Sequence, residues 1–397
     1  MKRSIRRVAV LVETSNSYGR DIQRGIADYV KVKGNWSMFV EQHELGTPPP
    51  PWLLRQMWDG IISRPTTPAL ARAFRKLRVP VIDLNDLHQD LGFPRLQSDN
   101  HAIGRLAADH LRERGFSHFA FCGFAGEPWS DERRAGFIQT LGPMGIRASC
   151  HQTPWRGKHR KPWSQEQALL VRWLKNLQQP VGIFACNDVR GRDVLEAARQ
   201  LGIAVPDQVA VIGVDNDELL CQMCDPPLSS ILPDAYGIGF QAARLLEGLM
   251  SSRRGRRFCR RLEPRTIIAR QSTDTLAAPD AEVAAAVRFI RQNACSGICV
   301  KDVLRQVPLS RSLLDQRFCA SIGRTPHAEI RAVQLQRAAQ LLGETDLPLK
   351  QISAACGFSH MEYLSYLFKR KFANSPKAYR QSHRNAGVAG KLFNRNS

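Results

Sequence analysis

Residues Gly182–Leu219 read GIFACNDVRGRDVLEAARQLGIAVPDQVAVIGVDNDEL. Two unbroken apolar runs, VGIFA and VAVIGV, bracket a segment of helical character, VRGRDVLEAARQLG. An uninterrupted apolar strand has both faces covered, which marks a parallel sheet lying between helices. Each run stops abruptly at polar residues, Asn187 and Asp188 after the first, Asp215 and Asn216 after the second. In open α/β sheets ligands bind beyond the carboxyl ends of the strands. The stretch therefore predicts both a fold and the place where its chemistry sits.

The same unit recurs upstream. RVAVLVE reads as a first strand, and RDIQRGIADYV after it puts Ile22, Ile26, Tyr29 and Val30 on one helical face. DGIISR, VPVIDLN and HFAFCGF read as strands, and IGRLAADHLRERG as a helix ending at Gly115. The unit repeats too often for one small sheet, so two lobes of doubly wound parallel sheet are expected. Two segments stand out as insertions. TPPPPW (Thr47–Trp52) reads as a stiff loop, and the basic PWRGKHRKPW (Pro154–Trp163) as a solvated excursion rather than a polyanion-binding loop. RRGRRFCRRL (Arg253–Leu262) reads as a loop plus an edge strand in preference to a phosphate-binding segment. The small, polar run QSTDTLAAPDAEV (Gln271–Val283) marks a boundary, beyond which every segment is helical.

Totals restrict the function. The 397 residues exceed one compact core, and 43% hydrophobic residues describe a globular chain. The formal charge is +21, and residues 281–397 alone hold 18 Lys/Arg against 7 Asp/Glu. A compact basic segment points to a polyanion, nucleic acid before an anionic membrane. No apolar run approaches the ~18–20 residues that span a bilayer. The basic start followed by Val8–Val12 is too short an apolar run for a signal segment, so a cytoplasmic protein is expected. Cys221 and Cys224 have ligand-like spacing in CQMC, but no second such pair accompanies them; they read as loop or core thiols, with no metal and no cofactor expected.

At the strand ends the polar residues share a chemistry. Ser15, Tyr18 and Arg20 follow the first strand; Asp99 and Asn100 follow a later one; Trp129 and Arg133 follow HFAFCGF; Asn187, Asp188, Asp215 and Asn216 follow the two strands above. Carboxylates accept hydroxyl hydrogen bonds, a guanidinium donates a fork of them, and an indole covers the C–H face of a pyranose. The set suits a neutral polyol. Taken singly, each Asp or Asn is as well explained as a helix cap, and Arg133 as a partner of Asp131 or Glu132. There is no GxxxxGK[ST], HExxH or GxSxG pattern, so no enzyme is expected.

In the last third, LKQISAACGFSHMEYLSYLFKRKF reads as helix, turn at Gly357, helix. Ile352, Ala355, Phe358, Leu364 and Phe368 are its expected buried set, leaving His360, Met361, Glu362, Ser365 and Tyr366 outside. An earlier copy, VKDVLRQVPLSRSLLDQRFCASIG, buries Val303, Leu304, Leu309, Leu314 and Phe318 and presents Arg311, Ser312, Asp315 and Gln316. HAEIRAVQLQRAAQLLG joins the two. Lys369, Arg370, Lys371 and Arg380 are the expected phosphate contacts.

These segments resemble two families. GIFACNDVRGRDVLEAARQLGIAVPDQVAVIGVDNDEL, RRAGF, LSSI before AYGIGFQAARLL, and PRTIIARQST, in that order, are similar to the effector domain of LacI-type repressors and periplasmic sugar-binding proteins. That resemblance implies sugar-binding roles for Arg133, Asn187, Asp188 and Asp215. LacI-type repressors carry their DNA-binding module at the N-terminus, where this chain is expected to have no room for one. Ala339, Leu341, Leu342, Ile352, Gly357, Phe358, Phe368, Phe372, Ser375, Pro376, Tyr379 and Arg380 carry a resemblance to the AraC-type DNA-binding domain. The departures, Gln316, Tyr366 and Ala373, bear on the DNA sequence read and not on the fold.

The implied fold class is a two-lobed, periplasmic-binding-protein-like α/β domain of doubly wound parallel sheets, then an all-α double helix-turn-helix domain. The expected boundaries are residues 1–275 for the effector domain, 276–283 for a linker, 284–385 for the DNA-binding domain and 386–397 for a tail. Both likenesses together, with NSYGR, SDN, WSDER and VIGVDNDEL, resemble the xylose-operon regulators of the AraC family. The resemblance implies a sugar-dependent activator, D-xylose being the effector, with double-stranded DNA, RNA polymerase and a second copy of the chain as partners, working in the cytoplasm at the nucleoid without a membrane. The alternatives are a regulator answering a different sugar, a transport-type sugar-binding protein and a sugar-metabolising enzyme.

Overall fold

The computed structural model describes residues 5–33, 35–40, 53, 55–88, 90–157, 160–252, 258–274, 280–345, 347–372 and 374–381. The chain divides into two compact units, Met1–Asp274 and Thr275–Ser397. The Thr47–Trp52 segment, the 386–397 tail and Ala373 lie outside the described residues.

The first unit holds two six-stranded sheets. Its strands are β1 (Arg6–Leu11), β2 (Trp36–Val40), β3 (Gly60–Ser63), β4 (Val81–Asp83), β5 (Arg95–Ser98), β6 (His118–Ala125), β7 (Ser149–Pro154), β8 (Val181–Ala185), β9 (Val209–Val214), β10 (Ser229–Leu232), β11 (Cys259–Leu262) and β12 (Thr266–Ile268). The orders are β11-β5-β4-β3-β1-β2 and β12-β10-β9-β8-β6-β7. Pairing is parallel throughout except between β10 and β12, where the chain returns antiparallel to close the second sheet. The apolar runs behave as their lack of alternation requires: β3, β8 and β9 are buried along their whole length. The second half of RRGRRFCRRL forms β11, the edge strand expected for it, in parallel register with β5.

Helices α1 (Ser17–Lys33), α2 (Pro68–Leu77), α3 (Asn100–Glu113), α4 (Pro128–Leu141), α5 (Trp163–Lys175), α6 (Asp188–Gln200), α7 (Glu218–Met223) and α8 (Ala235–Ser252) cover the sheets. The predicted stripe of α1 faces the core, with Ile22, Ile26 and Tyr29 buried beside Ile238, Ala242 and Leu246 of α8. Cys221 and Cys224 are buried free thiols in the core of the second lobe.

The second unit is all helical among its described residues: α9 (Ala281–Asn293), α10 (Val300–Leu304), α11 (Arg311–Ile322), α12 (Pro326–Glu344), α13 (Leu349–Ala355) and α14 (Met361–Phe372). It has two small cores. One joins Val283, Val287 and Ile290 to Val303, Leu314 and Phe318; the other joins Leu335, Ala338 and Leu342 to Ile352, Leu364 and Phe368. Helix α12 serves both, giving Ile330 to the first and its later half to the second. Between them Gln334 Nε2 donates to the carbonyls of Ala294 (2.8 Å) and Gly357 (3.4 Å). The predicted buried set needs two corrections. Ala355 is exposed, and Ser353 and Cys356 are buried instead, because the inward face of α13 carries Ile352 and Ser353 and continues one turn on at Cys356, leaving Ala355 off it. Leu304 and Leu309 are only half-buried at the margin of the first core.

Candidate functional site

The strand ends of the first unit converge on one cavity of about 300 Å³ between the lobes. The first lobe contributes Tyr18, Arg64, Asp86, Gln97 and Ser98; the second contributes Trp129, Arg133, Trp155, Asn187, Asp188 and Asp215, with Asn100 at the crossover.

Arg133 is the hub. Its approach depends on Gly104 of α3 and Gly136 of α4, where a Cβ would run into the facing helix backbone at Arg133 and His101. With the helices this close, Arg133 Nε donates to Asn100 Oδ1 at 3.0 Å and Nη1 to the Cys186 carbonyl at 2.5 Å. Nη2 faces Asp215 Oδ1 at 3.6 Å, and the guanidinium lies 5.0 Å from the centre of the Trp129 ring. Asp215 has φ 102°, a conformation few non-glycine residues accept. It turns the chain at the end of β9 so that the carboxylate enters the cleft. Burial pushes its pKa up to about 6 against the opposing pull of Arg133.

Asp188 is almost fully buried; it shares a 2.6 Å hydrogen bond with Ser230 Oγ and accepts from the Asp217 amide at 2.8 Å. Burial first, then the neighbouring Asp215, pushes it up to about 8. Protonated, it can donate as well as accept. Asn187 caps α6, its Oδ1 accepting from the Arg190 amide at 3.0 Å, while also lining the cavity. On the first lobe, Tyr18 hydroxyl meets Ser98 Oγ at 2.9 Å, and burial holds the phenol above its ordinary pKa. The Arg64 guanidinium covers the Tyr18 ring at 4.8 Å, pairs with Asp86 at 2.8 Å and is bonded to the buried Glu13.

Two predicted residues stand elsewhere. Asp99 is the N-cap of α3, accepting from the Ala102 amide at 2.9 Å, and does not line the cavity. Capping takes the carboxylate because the first turn of a helix leaves amides unpaired. Arg20 points outward, donating to the Thr14 carbonyl at 3.0 Å and reaching Asp217 of the opposite lobe at 3.5 Å. Arg64, Asp86, Gln97 and Trp155 are among the cavity residues that escaped the sequence reading. Arg64 and Asp86 follow the DGIIS and VIDLN strands and could have been found by treating those ends like the others. Gln97 sits within β5, whose polar RLQS carries no strand signal. Trp155 follows β7, SCHQTP, which is as polar; the expected solvated excursion is corrected there, since Trp155 lines the cavity.

In the second unit α10–α11 and α13–α14 are the two helix pairs. Ser310 caps α11 through the Leu313 amide, and Gly357 makes the second turn at φ 73°. Arg311, Ser312 and Gln316 are exposed on α11, and Asp315, half-buried, ties Arg311 at 3.2 Å. His360, Met361, Glu362 and Tyr366 are exposed at α14; Ser365 is half-buried and bonds back to the Met361 carbonyl. Lys369 and Arg370 are exposed. Lys371 and Arg380 have structural duties: Nζ of the first donates to the Ala332 carbonyl at 3.2 Å and Nη2 of the second to the Leu347 carbonyl at 2.6 Å.

Residues 108–273 match the periplasmic binding protein-like domain, and residues 303–382 the helix-turn-helix domain. The chain is 32% identical to the xylose operon regulatory protein of Haemophilus influenzae, over 94% of this chain and 98% of the relative. It is also 32% identical to the Escherichia coli K12 protein of that name, over 94% and 96%. The chain belongs to the xylose operon regulatory protein family. This family member is a DNA-binding transcription regulator with a sugar-binding type of effector domain. The solved structure of the xylose-binding transcription activator xylR superimposes with TM-score 0.69 at 31% identity, covering 96% of this chain and 99% of that one. A ribose-bound LacI family regulator from Enterococcus faecium shares the fold of the first unit at TM-score 0.55 and 23% identity, covering 67% of this chain and 98% of that one.

Proposed function

We propose that this regulator is controlled by D-xylose bound in the cleft between its lobes. The observation that carries the reading is the ring of fork-type and hydroxyl-accepting groups around Arg133, in a chain that also carries two helix-turn-helix pairs. Arg133, Asn187, Asp188 and Asp215 hold sugar hydroxyls, with Tyr18, Trp129, Asn100 and Arg64 completing the wall. Asp99 and Arg20 support the site without touching the sugar. A sugar can shift the protein only through unequal affinity for two conformations; closure of the lobes on the ring supplies that inequality. The relatives' names, with xylose in each, favour this pentose over other sugars.

The output is transcription activation. Helices α11 and α14 enter successive major-groove segments, Arg311, Ser312, Gln316, His360, Glu362 and Tyr366 meeting base edges and Lys369 and Arg370 holding phosphates. The regulator works in the cytoplasm at the nucleoid, as a homodimer that contacts RNA polymerase, without enzymatic turnover and without a metal or cofactor. Calorimetric titration with xylose, arabinose, ribose and glucose, paired with binding-site selection on DNA, tests both halves. Xylose binding and a selected repeat are expected; no sugar binding, or turnover of xylose, would sink the reading.

A further inference from the structure

The second-lobe wall of the cleft contains a four-layer stack. Arg156 lies over the Trp155 ring, 4.5 Å from its centre. Trp155 lies nearly parallel to Phe124, 13° between planes and 4.9 Å between centres. Arg190 covers Phe124 at 4.5 Å. Both ends are anchored. Arg156 pairs with Glu127 at 3.5 Å. Arg190, fully buried, pairs with Glu166 at 3.4 Å and Asp193 at 3.8 Å and donates to Thr153.

With its two faces covered by Arg156 and Phe124, Trp155 offers the cleft a ring edge and cannot retreat. Trp129 stands almost perpendicular to it, 83° between planes and 6.0 Å between centres, and its Nε1 donates to Glu127 at 3.0 Å. One carboxylate therefore steadies both indoles. The result is a rigid, right-angled apolar corner beside the charged groups that suit hydroxyls.

We propose that Trp155 sets the size limit of the effector, on the reading of the cleft as a sugar site. Arg133, Asp188 and Asp215 claim the hydroxyl-bearing edge of the ring, which leaves the corner the part without hydroxyls. In a pentopyranose that part is the ring methylene. In a hexopyranose it carries a hydroxymethyl group, which the backed indole edge excludes sterically and whose hydroxyl would lose water at an apolar wall. Trp155, through the stack that ends on Arg190, is thus a specificity-determining residue that selects pentoses over hexoses.

The test is calorimetric titration of the full chain with xylose and glucose, in wild type, Trp155→Ala, Trp155→Phe and Arg156→Ala. Removing one wall of a snug pocket changes discrimination by roughly tenfold or more. The xylose-to-glucose affinity ratio should fall about tenfold in Trp155→Ala and by less in Trp155→Phe and Arg156→Ala. Near-ultraviolet circular dichroism checks the fold of each variant. A ratio in Trp155→Ala within about twofold of wild type overturns the size-limit role alone, well below the expected change. If that variant does not fold, Trp155→Leu, which also removes the indole edge but keeps an apolar side chain in the stack, carries the same expected fall and the same overturning outcome. Wild type that binds neither sugar removes the sugar reading and this inference together.

Discussion

Arg133 Nη2 stands 3.6 Å from Asp215 Oδ1, and each charge offsets part of the cost of burying the other. Arg133 is 5% exposed and its charge would be costly there without a carboxylate; the carboxylate sits on a strained backbone at φ 102°. Replacing Arg133 by Ala leaves Asp215 without its partner and a sugar hydroxyl without its fork. The loss is about 1.5–3 kcal/mol, tenfold or more in affinity. Calorimetry should show that drop for pentose, with DNA binding of the sugar-free protein retained. Unchanged pentose affinity in Arg133→Ala and Asp215→Ala would remove both from the site.

Arg20 gives the contrasting case. Its 3.5 Å pair with Asp217 bridges the lobes, with the arginine exposed and the carboxylate half-buried. Such pairs are worth ~0–1 kcal/mol. Arg20→Ala should change sugar affinity by less than about fivefold. An effect as large as that of Arg133→Ala would place Arg20 on the sugar after all.

Asp188 predicts a pH dependence. Its pKa is pushed up to about 8 by burial and by Asp215, whereas an unfolded Asp titrates near ~4. Between those values the native state holds a proton that the unfolded chain has released. Stability is therefore fully supported at low pH, and this contribution is lost as pH rises from about 4 to about 8. Asp188→Asn mimics the protonated group, with an amide for Ser230 and a carbonyl for the Asp217 amide. Urea melts of the two proteins at several pH values across that window should show a shallower decline in the variant. Parallel declines would mean that Asp188 ionises normally.

Gly357 and Gly323 share a left-handed backbone, φ 73° and 72°, but not their surroundings. A Cβ on Gly357 would sit 2.8 Å from the Cys295 carbonyl oxygen and the Gly297 amide, and 2.9 Å from the Ala294 carbonyl oxygen; around Gly323 nothing lies within 4 Å. Gly323→Ala should cost the ~1 kcal/mol of an ill-suited backbone. Gly357→Ala should cost clearly more, because it also separates the two helix-turn-helix cores. Thermal melts of the two variants compare them directly, and equal losses would show that the close contact around Gly357 yields easily.

On DNA, Gln316→Ala and Glu362→Ala should relax preference at particular base pairs, at ~1–3 kcal/mol per good contact. Lys369→Ala should weaken all DNA alike and reduce the salt slope by about one. Arg380→Ala should instead lower the melting temperature, since its guanidinium holds the Leu347 carbonyl. Site selection, salt titration and melting separate the three classes. Wild-type sequence preference in both the Gln316 and Glu362 variants would mean that the two helices present other faces.

The sequence by itself determined the strands that are apolar along their length, such as β3, β8 and β9, because burial on both faces leaves a continuous signal. It likewise determined the helix pairs around Pro308 and Gly357 and most of the residues of α11 and α14 that stay outside, Asp315 and Ser365 being half-buried. Tertiary structure alone decided which strand-end residues meet. Asp99 and Asp188 look alike in sequence, yet one spends its carboxylate on the first turn of α3 and the other is buried beside Ser230. Polar β5 and β7 are strands only because their neighbours in the sheet pair with them, so the cavity residues they deliver, Gln97 and Trp155, carry no local signal. Arg64, Asp86, Trp155 and Arg133 lie far apart along the chain, and only the crossing of the chain between two sheets brings them to one cleft.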